Sequence, residues 1–339
     1  MNPDSVLSDW RARALLFEGT LKGAIIGQDH VIRLITVAVF ARGHVLLEGD
    51  VGVGKTALLR AVARGLGGAY ERMEGTIDLM PSDLVYYTYI NEQGRPWVDP
   101  GPLVKHGEAL SIFFFNEINR ARPQVHSLLL RVMAERNVAA FNRAYHFPHL
   151  QVFADRNRVE KEETFELPAA ARDRFVMEIA MELPGGAEIR RALMFDPRFH
   201  DVENLLREVE QGVLPYDELN RFATMVQNEI RASSALQDYA LHLWQATRCP
   251  KEYAIAIDGI DMNHLVQAGA SPRGMSMLVR AARVHAWLND RAMVVPEDLQ
   301  SIYFETIAHR VFFSPVHEFR RGPLVRELLD KVLHTVAAP

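Results

Sequence analysis

The chain has 339 residues, with 38 basic and 43 acidic side chains giving a net charge of -5; 48% of its residues are hydrophobic and 24% charged. This is an ordinary globular composition with room for two domains with real cores, and no block of like charge marks duplex nucleic acid as the expected partner. One cysteine, Cys249, excludes an internal disulfide framework and fits a reducing compartment; the amino terminus lacks a signal peptide's apolar core, and the longest apolar stretch, Val31 to Leu47, is broken by Arg33, Arg42 and His44, so no membrane span is expected and the cytoplasm is the expected location.

Residues 1 to about 22 read as a leading helix, and Asp29 is placed to cap a second one running through Phe40. His44 to Glu48 is a short apolar strand. Gly49 to Thr56, GDVGVGKT, then fits G-x-x-x-x-G-K-[ST] at every fixed position, and Ala57 to Leu66 follows with helical spacing. Glycines let the backbone curl its N–H groups around phosphates, Lys55 can reach the β- and γ-phosphates, and the Thr56 hydroxyl can hold Mg²⁺. The nucleotide-binding residues expected from this motif are Gly49, Asp50, Val51, Gly52, Val53, Gly54, Lys55, Thr56 and Ala57.

Tyr86 to Ile90 and Arg95 to Val98 flank Asn91-Glu92-Gln93-Gly94 as a hairpin; Ser111 to Phe115 is apolar on both faces, as a central parallel strand should be. Pro123 to Glu135 reads as a helix, Asn137 to His146 as a second hairpin turning at Asn142-Arg143, Leu150 to Ala154 as a third core strand and Phe175 to Met181 as a fourth. Beyond Pro184-Gly185-Gly186 helical patterns take over, at 187–195, 201–212, 216–231, 235–248, 272–289, 296–311 and 323–336. The expected fold is an α/β parallel sheet with flanking helices over residues 1–185, carrying hairpin insertions near 84–103 and 137–149, followed by an all-α lid over 186–339. Asn116 and Glu117 end the Phe-rich strand. In many P-loop ATPases an Asp-Glu pair stands there, the Asp helping to hold the Mg²⁺ shell and the Glu orienting or deprotonating the attacking water. His44, Trp97 and Phe113 to Phe115 read as packing rather than ligands, and no H-x-x-x-H or carboxylate cluster points to a tightly bound transition metal.

Ile26-Gly27-Gln28, the loop, Asp78 to Asp83, Pro100-Gly101-Pro102, Asn116 to Ala121, Leu167 to Phe175 and Gly269 to Arg273 together resemble the MoxR-type AAA+ ATPases, in order, over residues 24 to 310. The resemblance implies the AAA+ fold with a lid reaching past Arg310, ATP and Mg²⁺ as ligands, and a homo-oligomeric ring, expected to be a hexamer. It assigns Glu117 as the catalytic carboxylate, Asn157 as the sensor of the γ-phosphate, Arg174 as the finger reaching a neighbour's nucleotide with Arg172 as its rival, and Arg273 as a second sensor meeting the γ-phosphate when the lid closes. It further implies chaperone-like activation of a client enzyme complex, with metal or cofactor insertion into methanol dehydrogenase a candidate, and a von Willebrand factor A-domain partner.

Two departures stand out. Asn116 occupies the usual Asp position, and Asp155-Arg156-Asn157-Arg158 replaces the family's Thr-Gln-Asn-Pro run. An Asn carbonyl can still accept from a metal-bound water, so binding is expected to survive better than turnover. Asn116→Asp is expected to raise hydrolysis unless the charges at 155, 156 and 158 already compensate. The main alternative is an ATP-sensing module with little hydrolysis; a P-loop kinase or transferase and a DNA-directed remodeller are weaker rivals.

Overall fold

The computed structural model describes residues 3–157 and 164–339, so Arg158 lies outside the described residues. The strands in chain order are β1 (His44–Glu48), β2 (Ala69–Glu74), β3 (Tyr86–Ile90), β4 (Pro96–Pro100), β5 (Leu110–Asn116), β6 (Asn137–Ala140), β7 (Arg143–His146), β8 (Gln151–Arg156) and β9 (Phe175–Ala180). Five of them make the main sheet in the order β2-β5-β8-β1-β9, every pair parallel. Helices α1 (Pro3–Ala24), α2 (Asp29–Phe40), α3 (Lys55–Leu66), α4 (Pro123–Glu135) and α5 (Ala169–Arg172) accompany it.

Alternation along the strands feeds both faces. Val45, Leu47, Ile112, Phe114 and Phe153 enter one core with α1, α2 and α3; Leu46, Phe113, Phe115, Val152 and Ala154 enter the other, against α4. The expected strands are all present. β2 was not legible: AYERME is half polar, and as an edge strand it needs only its β5 side covered, where Arg72 lies over the Phe114 ring. Both hairpins formed. The second turns one residue earlier than expected, at Phe141-Asn142, both left-handed (φ 52° and 61°), as a two-residue hairpin loop requires.

The rest is α6 (Ala187–Phe195), α7 (Val202–Glu208), α8 (Leu219–Glu229), α9 (Ser234–Arg248), α10 (Met262–Leu265), α11 (Pro272–Leu288), α12 (Pro296–Ile307), α13 (Pro315–Glu318) and α14 (Arg321–Thr335), with one small antiparallel pair, β10 (Val266–Ala268) and β11 (Phe312–Phe313). Strands of two and three residues carry no periodicity, which is why this half read as purely helical. The chain connection near residue 185 is not a break in the core. Trp10 of α1 stacks on Phe222 of α8 at 4.6 Å, and Phe40 of α2 meets Trp287 of α11 at 4.8 Å. Helices α1 and α2 thereby join α8 and α11 to the half that carries the main sheet.

His44 is a packing residue, as expected. Its Nδ1 accepts from the Val152 N–H (2.9 Å), its Nε2 donates to Met133 O (3.2 Å), and burial pushes its pKa down to about 3. The unfolded imidazole titrates near ~6.5, so this contribution is complete above that pH and is lost as pH falls from there toward 3. Between about pH 5.5 and 4, unfolding free energy should drop by about 1.4 kcal/mol per pH unit from this group, and denaturant titrations of His44→Asn should show that part of the slope missing.

Candidate nucleotide site

The phosphate loop leaves the carboxyl end of β1. Gly52 (φ 81°) and Gly54 (φ 93°) supply the left-handed turns, and a Cβ on Gly49 would sit 2.4 Å from Met181 O, so the loop packs directly on the chain leaving β9. Helix α3 starts at Lys55 and its amino terminus faces the loop. Lys55, only 8% exposed, donates to Gly49 O (2.8 Å) and Asn157 Oδ1 (2.7 Å) and stands 3.1 Å from Asp155 Oδ2.

Glu117 and Asn157 join the same network. Asn157 Nδ2 donates to Glu117 Oε1 (3.0 Å), and Arg120 holds Oε2 (2.9 Å). The Glu117 backbone is left-handed (φ 52°), a conformation costly for a residue with a Cβ and one that collects at functional sites. It is fixed by Asp155 Oδ1, which accepts from the Glu117 N–H (2.5 Å), and by Gly75, where a Cβ would meet Glu117 O at 2.2 Å. Gly75 stands in no motif and was missed in the sequence. Burial pushes the Asp155 carboxyl above its ordinary pKa, while the Glu117 N–H and Lys55 act against the shift. Arg156 points away from the loop to Glu178 (2.8 Å) and Glu48 (3.5 Å), so of the departing run Asp155, not Arg156, enters the site.

These residues fit Mg²⁺ by donor chemistry. Thr56, Asn116 and Asp155 offer oxygens; Asn116 Nδ2 is committed to Glu74 Oε1 (3.2 Å), which leaves its Oδ1 to accept. Among the described residues no three His, Cys, Asp or Glu side chains gather as a cage, and a few oxygens plus substrate phosphates are the setting Mg²⁺ uses.

Arg174 and Arg273 lie elsewhere. Arg174 precedes β9, whose Phe175 pairs with His44 at the amino end of β1. Both arginines line a cleft of about 240 Å³ with Arg42, His44, Arg136 and Arg280. That is the sheet edge opposite the loop, a β1 length of roughly 16 Å away. In this structure Arg273, expected to meet the γ-phosphate when the lid closes, therefore stands at the opposite end of the sheet from the phosphate loop of its own chain. Asp173 pins the Arg273 segment to the core by accepting from Ser271 Oγ (2.7 Å), Arg273 (3.2 Å) and Arg310 Nε (3.0 Å). Arg310 is 2% exposed, and a Cβ on Gly274 would meet its Cδ at 2.3 Å, so lid and core are locked here.

Arg172 and Arg174 differ in their surroundings. Arg172 is buried, over the Phe312 ring and 3.8 Å from Glu178. Arg174 is half-buried, donates to Ala170 O (2.6 Å), and its Nε has no partner among the described residues. Around it, no described carboxylate pairs with Arg42, Arg136 or Arg280; they donate to neutral oxygens, and burial with mutual repulsion lowers Arg42 to about 9. The cleft is a concentrated positive surface on a chain of net charge -5.

A parallel sheet in this order, a phosphate loop and a carboxylate on the next strand but one define a P-loop ATPase of the AAA class. Residues 44–177 match the model for the ATPase family associated with various cellular activities (AAA), and residues 261–330 match the AAA lid domain. The chain is 61% identical over 336 residues to Protein MoxR of Methylorubrum extorquens, covering 99% of this chain and 98% of that one, and 55% identical to Protein MoxR of Paracoccus denitrificans, covering 99% of both. Chaperone MoxR1 of Mycobacterium tuberculosis is 32% identical, over 94% of this chain and 80% of that one. A crystal structure of a candidate ATPase from Cytophaga hutchinsonii superposes with a TM-score of 0.81 at 25% identity, covering 98% of this chain and 99% of that one. The chain belongs to the MoxR family of AAA+ ATPases.

Proposed function

We propose that the protein binds ATP with Mg²⁺ and hydrolyses it to ADP and phosphate within a hexameric ring, and that the ring remodels or activates a client enzyme complex in the cytoplasm. One observation carries the reading: Lys55, Glu117 and Asn157 meet at one sheet edge, while Arg174 and Arg273 occupy the opposite edge. Each subunit holds half of a catalytic set at each edge, so a neighbour must complete it. The relative called a chaperone supports the client part. Methanol dehydrogenase activation, and a von Willebrand factor A-domain partner, are proposed on the family resemblance. The ATP-sensor reading is not favoured, because the Glu117 network is complete despite Asn116.

Lys55 and the loop N–H groups hold the triphosphate. Asn157 orients Glu117, whose Oε1 takes the proton of the attacking water. Mg²⁺, when bound, neutralises charge on the β- and γ-phosphates. Arg174 and Arg273 of a second copy offset charge developing in the transition state.

Specific ATPase activity should rise with protein concentration as the ring forms, tracked by light scattering; activity per subunit that is flat down to dilutions where only monomer scatters would overturn the shared site. Lys55→Ala should abolish measurable ATP binding in calorimetry, since Lys55 is the one side chain of the loop motif that brings a full positive charge to the phosphates and a charge-assisted contact contributes roughly 1.5–3 kcal/mol. Unchanged affinity would remove the loop assignment.

A further inference from the structure

Asp155 is a buried carboxylate that holds the Glu117 backbone but takes part in no step of the reaction as described. It is 1% exposed, and burying a carboxylate is costly even with a partner. Strand order places it well. β8 lies between β5 and β1, and Asp155 pairs in register with Leu47, two residues before the phosphate loop, so it stands one strand nearer the loop than Asn116. Its two oxygens face Lys55 Nζ (3.1 Å) and the Glu117 N–H (2.5 Å), the two residues that meet phosphate and water. Residue 116 is poorly placed to carry a charge instead, because its side chain lies 3.2 Å from the Glu74 carboxylate.

We propose that Asp155 supplies the carboxylate of the Mg²⁺·ATP site, in place of residue 116, and makes nucleotide binding depend on the metal. This rests on the ATP-site reading above. The physical step is charge balance. With no nucleotide, Lys55 neutralises Asp155. When Lys55 turns its charge to the triphosphate, Asp155 is left as a bare negative charge beside other negative charges. Bound Mg²⁺ would supply the positive charge that offsets that repulsion. Asp155 therefore penalises metal-free ATP and rewards Mg²⁺·ATP. A residue that only props the fold would weaken both forms alike. The same geometry reverses the expectation for Asn116→Asp: a second carboxylate against Glu74 should leave turnover unchanged or lower.

The test is calorimetric affinity for a non-hydrolysable ATP analogue, with excess Mg²⁺ and with EDTA, in the parent and in Asp155→Asn. The amide is isosteric and can still accept from the Glu117 N–H, so the fold should hold; if thermal unfolding shows otherwise, Asp155→Ser is measured in its place. The expected result is that the ratio of the two affinities falls at least tenfold, with the EDTA affinity equal to or tighter than the parent's. An unchanged ratio, or an equal loss in both conditions, would overturn the proposal and leave Asp155 as a prop for the Glu117 backbone. Failure of the parent to bind the analogue at all would instead sink the ATP-site reading, so the two failures are distinguishable.

Discussion

Glu117→Gln is expected to keep ATP bound while turnover falls by about 10²–10⁴-fold, the range a positioned general base supplies. The amide has the same shape. Its oxygen can still take the Asn157 Nδ2 bond now made at 3.0 Å, and the left-handed backbone at 117, set by Asp155 and Gly75, does not depend on side-chain charge. What the substitution removes is basicity at the atom facing the water. Lost turnover with preserved affinity separates this role from that of Lys55, whose loss removes binding itself. ATP-locked protein should also favour the assembled ring, because the bound triphosphate holds the neighbour's arginines. Single-turnover rates and nucleotide affinity in the two proteins check both points; a variant that hydrolyses ATP within threefold of the parent would remove Glu117 from the mechanism.

Much of this site was legible in the sequence because its chemistry is local. The loop, Lys55, Glu117 and Asn157 each sit at the end of a strand that the apolar runs had marked, and parallel strands bring their carboxyl ends to one edge. The arginines were harder. Arg273 belongs to a helix start, and nothing in its neighbourhood tells which end of a sheet some hundred residues earlier it will meet; the Asp173 clamp with Ser271, Arg273 and Arg310 decides that, and it is a tertiary contact. Asp155 was visible as an added charge. Its direction came only from strand alternation: Arg156 turns to Glu178 while Asp155 turns to Lys55. Edge strand β2 and the cleft arginines Arg42, Arg136 and Arg280 escaped for the same reason, since partial burial and assembly across elements leave no period in the chain.

Arg174→Ala should bind ATP normally and lose turnover by about 10³-fold or more, the scale of an arginine finger supplied by a neighbour. Its side chain is far from its own loop, so its own pocket is untouched, and its one donation to Ala170 O is surface structure with little stability at stake. Arg172→Ala should look different. Arg172 packs on Phe312 and near Glu178 inside the fold, so its loss should lower the unfolding temperature before any selective effect on catalysis. The decisive measurement mixes two inactive proteins. An Arg174→Ala subunit keeps Glu117, and a Glu117→Gln subunit keeps Arg174; where the first presents its loop to the second's cleft, the site is whole. Random mixing makes about a quarter of interfaces complete, so an equimolar mixture should recover a corresponding fraction of activity from two nearly silent parents. Arg273→Ala should behave like Arg174→Ala in this assay, because both line one cleft on the same edge. A mixture as silent as its components, or an Arg174→Ala protein with parental turnover, would mean that the cleft does not face a neighbour's nucleotide. Recovery with Arg174→Ala but not with Arg273→Ala would leave Asp173 holding Arg273 as a strut of the lid rather than as a contact across the interface.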